Sequence, residues 1–564
     1  MTVSSPERFH DLDALRAFAM LLGIVLHGMM SFIELPVFVW PAQDLYQHKE
    51  YRFVLEAIHG FRLPLFFLIS GFFTTMMWRK RGLNFTIKRR AKRIGYPLLT
   101  GMITIVPVIF VIAAISSGLA LSSNRLFKAA KTGELSFIEN SAKAGGNLNR
   151  TMLIGTQDPP GLAALHLAVL HDQADTARLL LEHGADPDVR QAGANQLGIR
   201  PLHIAAAKAD MEIFNALLAA GADVNVRATA GFTPLDVAQD AERLLGDDLG
   251  IKFAAASESQ QMIPLLIARG GLSGDGLAEN ASVSVSEKSE EEMLYDMIIE
   301  LPDWALLILG LCAFPIFVHL WFLWYLIWLV AMFAMFVKLA QRFGWKLPSR
   351  IVSSPRCWLL LIPLTFAAQL LMFQSPGPDT AGGLVPWPPI LFYYAIFFGF
   401  GAIAYGNPDF EQKAGRQWPL LFVLSLGALV AELAGRELRL ENFALWHPIV
   451  SLCSVIYVWA MTFGMIGLFR KFFSKENKRI RYVSDSSYWL YIAHLPVLQV
   501  LQIWMSDWAL PSIVKFVIIC GITTGVLLVA YEYLIRYSQI GTMLNGARKR
   551  PERIAGKEAL DASS

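Results

Sequence analysis

The sequence predicts an all-α protein, a polytopic transmembrane helix bundle of about ten spans with an α-helical solenoid inserted between two of them. Three observations predict it. Of 564 residues, 54% are hydrophobic and 17% charged, and the mean hydropathy is +0.44. A soluble chain carries nearer a quarter charged residues, so much of this one faces something other than water. Apolar runs close to the roughly 20 residues that a bilayer crossing needs recur along the chain. A third segment, between the third and fourth of these runs, repeats itself at a period of 33 residues, from Pro201 to Pro234.

The spans fall at about 12–33, 59–78, 95–121, 319–341, 357–374, 389–405, 418–434, 447–468, 486–505 and 512–535. The apolar stretch 304–318 is short and runs straight into the fourth span, so it reads as an interfacial or extended lead-in. Met1 to Asp13 is polar and partly acidic, without a basic n-region or small-residue cleavage site, so no removed signal peptide is expected. Lys and Arg are retained on the cytoplasmic side of a bilayer. RKRGLNFTIKRRAKR after the second span holds eight basic residues, RKFFSKENKRIR follows the eighth span and NGARKRPER the tenth. The loops 375–388 and 506–511 hold none. Ten spans with both termini cytoplasmic satisfy every one of these loops, and by parity the insertion is extracytoplasmic.

Within the insertion, GLAALHLAVLHDQADTARLLLEHGADPDVR, IRPLHIAAAKADMEIFNALLAAGADVNVR and GFTPLDVA follow the ankyrin pattern of Thr-Pro-Leu-His-x-Ala, a second helix and a Gly-Ala-Asp turn. From Ala164 to Pro201 the spacing is 37, so QAGANQLG carries four extra residues. A degenerate first repeat, LFKAAKTGELSFIENSAKAGGNLN, and a closing helix, QQMIPLLIARGG, complete a stack of four, enough for a continuous core. The expected organisation is therefore a membrane domain over 1–121, ankyrin repeats over 122–272, and an acidic flexible linker over 273–303. A second membrane segment over 304–540 and a basic tail over 541–564 follow. The ankyrin motif histidines, His166 and His203, tie the turns, which is a structural role.

Asp13, Arg16 and His27 lie in the first span, and ionisable groups inside a membrane helix suggest function. Eleven helical steps place Arg16 and His27 roughly 16 Å apart near one face. Arg at the cytoplasmic mouth suits a phosphate-bearing donor, and His deeper in suits a general base or nucleophile. The alternatives are a topology anchor and a packed polar residue. Cys312, Cys357, Cys453 and Cys520 lie singly in or beside apolar runs, at no metal-ligand or redox spacing, and read as packing residues. No His, Asp or Glu cluster has ligand spacing, so no metal is expected. A formal net charge of +3 gives no sign of a nucleic-acid partner.

RFHDLDALRAFAMLLGIVLHG resembles the opening of the membrane acyltransferase 3 family, whose hallmark is Arg, ten residues, then His. HGFRLPLFFLISGFF, KRRAKRIGYPLL, HLWFLWYL and SYWLYIAHLPVL resemble later segments of that family, in the right order. The likeness covers about 1–121 and 319–540, and the ankyrin insertion departs from it. It implies an O-acyltransferase that moves an acyl group (succinyl or acetyl) from cytoplasmic acyl-CoA to a hydroxyl of an extracytoplasmic glycan such as a periplasmic glucan. The implied location is a bacterial inner membrane. Carried over by position, Arg16 and His27 become the catalytic pair, and Arg62, His319, His494 and Asp13 line the substrates, with His59 a weaker candidate. Arg89, Arg90 and Arg93 hold the CoA phosphates, although retention of positive charge explains them equally well. Ser70-Gly71 reads as a close-packing step. No cofactor is bound permanently, and succinyl-CoA or acetyl-CoA is a substrate. The remaining partners are membrane lipid and a protein reached through the ankyrin repeats. A non-catalytic scaffold or transporter, with the repeats binding a partner, is the rival reading.

Overall fold

The computed structural model describes residues 9–33, 40, 42, 44, 46–119, 124–143, 146–151, 159, 161–192, 197–245, 256–274, 311, 316–345, 357–372, 376–380, 382–437, 443–506, 508 and 510–546. The acidic linker beyond Gly274, most of 304–318, the tail beyond 546 and the inserted residues 193–196 lie outside them. Every regular element among the described residues is helical, and one isolated antiparallel bridge joins Thr151 to Ala163.

Each of the ten apolar segments carries a helix. In the first membrane segment these are α1 (His10–Met29), α2 (Lys49–Arg81), α3 (Leu83–Arg90) and α4 (Tyr96–Leu119). A π-helical turn, Ala91–Gly95, fuses α3 to α4 into one crossing. The ankyrin module supplies α5 (Asn124–Thr132), α6 (Leu135–Lys143), α7 (Ala164–Leu170), α8 (Ala174–Glu182), α9 (Pro201–Lys208), α10 (Met211–Ala219), α11 (Pro234–Gln239), α12 (Ala241–Leu245) and α13 (Ala256–Ala268). The second membrane segment adds α14 (Trp321–Phe343), α15 (Trp358–Gln369), α16 (Pro388–Ala404), α17 (Pro408–Lys413), α18 (Trp418–Glu437), α19 (Phe443–Phe473), α20 (Lys478–Met505), α21 (Ser512–Ala530) and α22 (Gln539–Asn545).

Seven of these crossings are long and apolar enough to span a bilayer, while α15 and α16 are apolar but shorter. The remaining one, α20, is long enough but carries His494, Gln499 and Gln502 in its apolar half. All three are buried, so their polarity turns inward. Lipid-facing positions follow the opposite rule: Leu359, Val423 and Ile103 are exposed, whereas Tyr393, Tyr394 and Trp459 are fully buried in the centre. Helices α2 and α16 meet backbone to backbone. A Cβ at Gly71 would stand 2.0 Å from the Phe398 carbonyl oxygen, and one at Gly401 1.9 Å from that of Leu68. Small residues permit such contact where no hydrophobic force drives membrane helices together. The Ser70-Gly71 step is thus a packing step.

The ankyrin helices pair and stack on one core that includes Leu165, Leu180, Leu202 and Phe214. His166 Nδ1 accepts from the Ala163 amide (3.1 Å), and its Nε2–H donates to the Ile199 carbonyl of the next repeat (3.1 Å). His203 repeats this with Arg200 and Phe232. Both are the turn-tying histidines that the repeat pattern implies. Burial holds His166 down to about 4 and His203 to about 3.

Candidate active site

Helix α1 links two polar centres, one at its first turns and one near its last. At its first turns, Arg16 ion-pairs with Asp13 (3.2 Å) and lies over the Phe73 ring (5.6 Å). Arg16 opens, with Arg90 and Arg93, onto a cleft also lined by Met20, Phe66 and Phe322. Arg90 ends α3 and Arg93 lies in the π-helical turn that follows it, and π turns recur at functional sites. Arg90 donates to the Ser70 carbonyl (3.2 Å) while its Nε, also buried, has no hydrogen-bond partner. Arg89 lies outside the cleft lining, against Phe85 (5.8 Å). Three guanidinium groups around one cleft make an anion seat suited to phosphates. Tyr488, whose hydroxyl donates to the Arg93 carbonyl (2.7 Å), and Ser484 and Ser487 also line it.

At the other end of α1 sits His27. Its Nδ1 is 2.8 Å from His494 Nε2, and His494 Nδ1 is 2.6 Å from the Tyr491 carbonyl. A carbonyl only accepts, so His494 carries its proton on Nδ1 and its Nε2 accepts. His27 must then donate from Nδ1, which leaves a lone pair on His27 Nε2. This is the tautomer that a base or nucleophile requires. His494 is fully buried, and His27 is half-buried. The Trp40 ring lies 5.8 Å from the His27 ring with only 3° between their planes. Trp40 Nε1 donates to Gln502 Oε1 (3.0 Å), and Gln502 Nε2 donates to the carbonyls of His27 (3.0 Å) and Gly28 (3.2 Å).

His319 stands edge-on to His494 with ring centroids 5.2 Å apart. Its Nε2–H donates to the Ile492 carbonyl (3.0 Å), and its buried Nδ1 lacks a partner. The preceding Val318 has a φ of +47°, a left-handed value rare for a β-branched residue and a form of strain that clusters at active sites. Arg62 is buried beside Gly23, one helical turn from His27, and its Nε has no hydrogen-bond partner. No ion pair to Arg62 occurs among the described residues. His59, one turn away, donates to the Pro378 carbonyl (3.1 Å).

The structure therefore gathers His27, His494, His319, His59 and Arg62 in one place and Asp13, Arg16, Arg90 and Arg93 in another. The sequence reading missed Trp40 and Gln502. Two glutamines three residues apart in an apolar span, Gln499 and Gln502, were a readable signal for the second; Trp40 had none. Among the described residues no group of three or more His, Cys, Asp or Glu is arranged to hold a metal ion.

A bundle of apolar helices, seven of them among the described residues long and apolar enough to cross a bilayer, with ionisable side chains on its first helix, marks a multi-pass membrane protein. The family profile described as Acyltransferase domain, of the acyltransferase 3 family, matches residues 9–154 and 293–532, and the chain belongs to that family. A second profile, Ankyrin repeats (3 copies), matches residues 126–228. Curated relatives include Glucans biosynthesis protein C of Escherichia coli strain SMS-3-5, 33% identical over 96 residues, and that of strain K12, 32% identical over 96 residues. Each match covers 17% of this chain, which spans about a quarter (24%) of the relatives' length.

Proposed function

We propose that this protein moves an acyl group, succinyl or acetyl, from acyl-CoA at the basic end of the bundle to a hydroxyl of a glycan, such as a glucan, at the opposite end. One observation carries the reading: a single helix, α1, presents an arginine-lined cleft near one end and an imidazole with a free Nε2 lone pair near the other. The CoA phosphates seat on Arg16, Arg90 and Arg93, with Asp13 holding Arg16. The pantetheine arm extends past Met20 toward His27, seven residues or about 10 Å further along α1. His27 Nε2 then acts in one of two ways. As a base it takes the acceptor hydroxyl proton, the oxygen attacks the thioester carbon, and CoA leaves as the thiolate, which the imidazolium reprotonates. As a carrier it attacks the thioester first, expelling CoA as the thiolate; the acceptor oxygen then attacks the acyl-imidazolium carbon, its proton passes to the thiolate, and His27 is released. Arg62 stabilises negative charge in either route, on the thioester oxygen or on the distal carboxylate of a succinyl chain.

Basic clusters at Arg79–Arg93 and Arg470–Arg481 share the Arg16 end, where Arg470 approaches Asp11 (3.5 Å). Positive charge retention makes that end cytoplasmic, in a bacterial inner membrane, with both termini inside. The ankyrin module meets the His27 end and is then extracytoplasmic, where it is free to bind a protein partner or the acceptor polymer.

The donor seat is tested by steady-state kinetics of Arg16→Ala and Arg90→Ala in proteoliposomes. Each charge-assisted contact is worth about 1.5–3 kcal/mol, so KM for acyl-CoA should rise roughly ten- to 100-fold, with the acceptor KM unchanged. An unchanged acyl-CoA KM in both variants removes this cleft as the donor seat.

A further inference from the structure

The connection between α1 and α2 touches both the ankyrin module and the histidine centre. Trp40, 4% exposed, lies flat against His27 and is fixed there by Gln502. Four residues on, Asp44 is 1% exposed, with its carboxylate 2.7 and 2.8 Å from Lys515 Nζ. Lys515, also fully buried, donates in addition to the Ser506 carbonyl (3.0 Å) and lies 4.4 Å over the Tyr46 ring. The Asp44 amide donates back to the Ser31 carbonyl just beyond α1 (2.8 Å). From the other side, Arg150 of the ankyrin module donates to the Asp44 carbonyl (3.2 Å) and is itself buried. Tyr46, whose amide donates to Asp44 Oδ1 (2.9 Å), packs into the ankyrin core with Leu126, Leu148 and their neighbours.

A module that was merely tethered to the loop after α4 would not bury its arginine in the α1–α2 connection, nor take a tyrosine of that connection into its core. Packed, hydrogen-bonded contacts of this kind can carry coupling between distant parts of a protein. We infer that the ankyrin stack is a working part of the transferase: through Arg150 and Tyr46 it anchors Asp44 and thereby holds Trp40 against His27. Arg150, Tyr46 and Asp44 are positioning residues in this scheme. The role assigned to His27 is that of the proposed function, but the anchoring itself does not depend on it.

The test uses the full-length protein in proteoliposomes and a readout that needs no turnover, the rate at which diethyl pyrocarbonate modifies His27, read by peptide mass. In Arg150→Met, Asp44 loses its tie to the ankyrin stack, Trp40 is left held by Gln502, and modification of His27 should accelerate about tenfold. His166 and His203 stay protected, which reports an intact stack, and Arg150→Lys restores the parental rate. In parallel, kcat should fall while KM for acyl-CoA, set at the other end of α1, stays constant. Parental His27 reactivity in Arg150→Met with His166 and His203 still protected overturns the inference. Should the substitution expose those two histidines, hydrogen exchange of the unsubstituted chain decides. The Tyr46 amide must then exchange as slowly as the ankyrin core, and exchange at the unprotected rate overturns the inference. A His27→Ala protein that still transfers acyl groups would refute the proposed function and leave the reactivity result standing.

Discussion

Replacing His494 tests the tautomer argument at its most exposed point. His494 is fully buried and offers His27 Nδ1–H its acceptor at 2.8 Å, while its own Nδ1–H is committed to the Tyr491 carbonyl. In His494→Phe the ring volume is retained but the acceptor is lost. The stranded donor costs about 1–3 kcal/mol, and each 1.36 kcal/mol of barrier is tenfold in rate, so kcat should fall roughly five- to 150-fold. The loss is confined to kcat because the donor cleft, bounded by Met20 and Phe66, does not include His494. His494→Gln keeps an acceptor oxygen and should recover most of the rate. The assay is the initial rate of acyl transfer against acyl-CoA concentration in proteoliposomes, with a thermal melt of each variant to show that it is folded. His494→Phe with parental kcat would refute the reasoning, because His27 would then need no fixed proton on Nδ1.

Two further predictions concern stability. His166 and His203 are neutral in the fold and titrate at about 4 and about 3, against 6.5 when unfolded. Their contribution is therefore complete above pH 6.5 and is lost as pH falls toward those values, by roughly 2–3 kcal/mol per histidine at pH 4.5. The urea midpoint of the ankyrin segment, followed by peptide-resolved labelling of the intact protein, should drop accordingly; a midpoint flat between pH 7 and 4.5 contradicts this. Gly71→Ala should force α2 and α16 apart, since the new Cβ would meet the Phe398 carbonyl oxygen at 2.0 Å. Overpacking costs about 1–3 kcal/mol or more, so the melting temperature of purified protein should fall by several degrees, and an unchanged value would show that the close approach is not required.

Much of this was legible in the residues. Hydropathy located the apolar helices, seven of them long and apolar enough to cross a bilayer among the described residues, and the 33-residue period revealed the stack. Arg16 and His27 stood out because charge in a membrane helix is rare. Retention of positive charge did not separate Arg89 from Arg90 and Arg93, and only the folded chain shows the last two lining the cleft while Arg89 lies against Phe85. The pairing of Asp44 with Lys515 spans 471 residues and that of Trp40 with Gln502 spans 462, distances over which no local pattern acts. Arg150 reads as an ordinary loop arginine of a first repeat, and only the folded chain shows it buried against Asp44.

The central claim, that His27 Nε2 carries out the transfer, is tested most directly by His27→Ala in proteoliposomes. Labelled acyl-CoA is supplied at the basic end of the bundle and a soluble glucan at the other. The account predicts a membrane-inserted, folded protein that still binds acyl-CoA at Arg16, Arg90 and Arg93 but forms no labelled glucan above background. Labelled glucan at the parental rate from His27→Ala would contradict it.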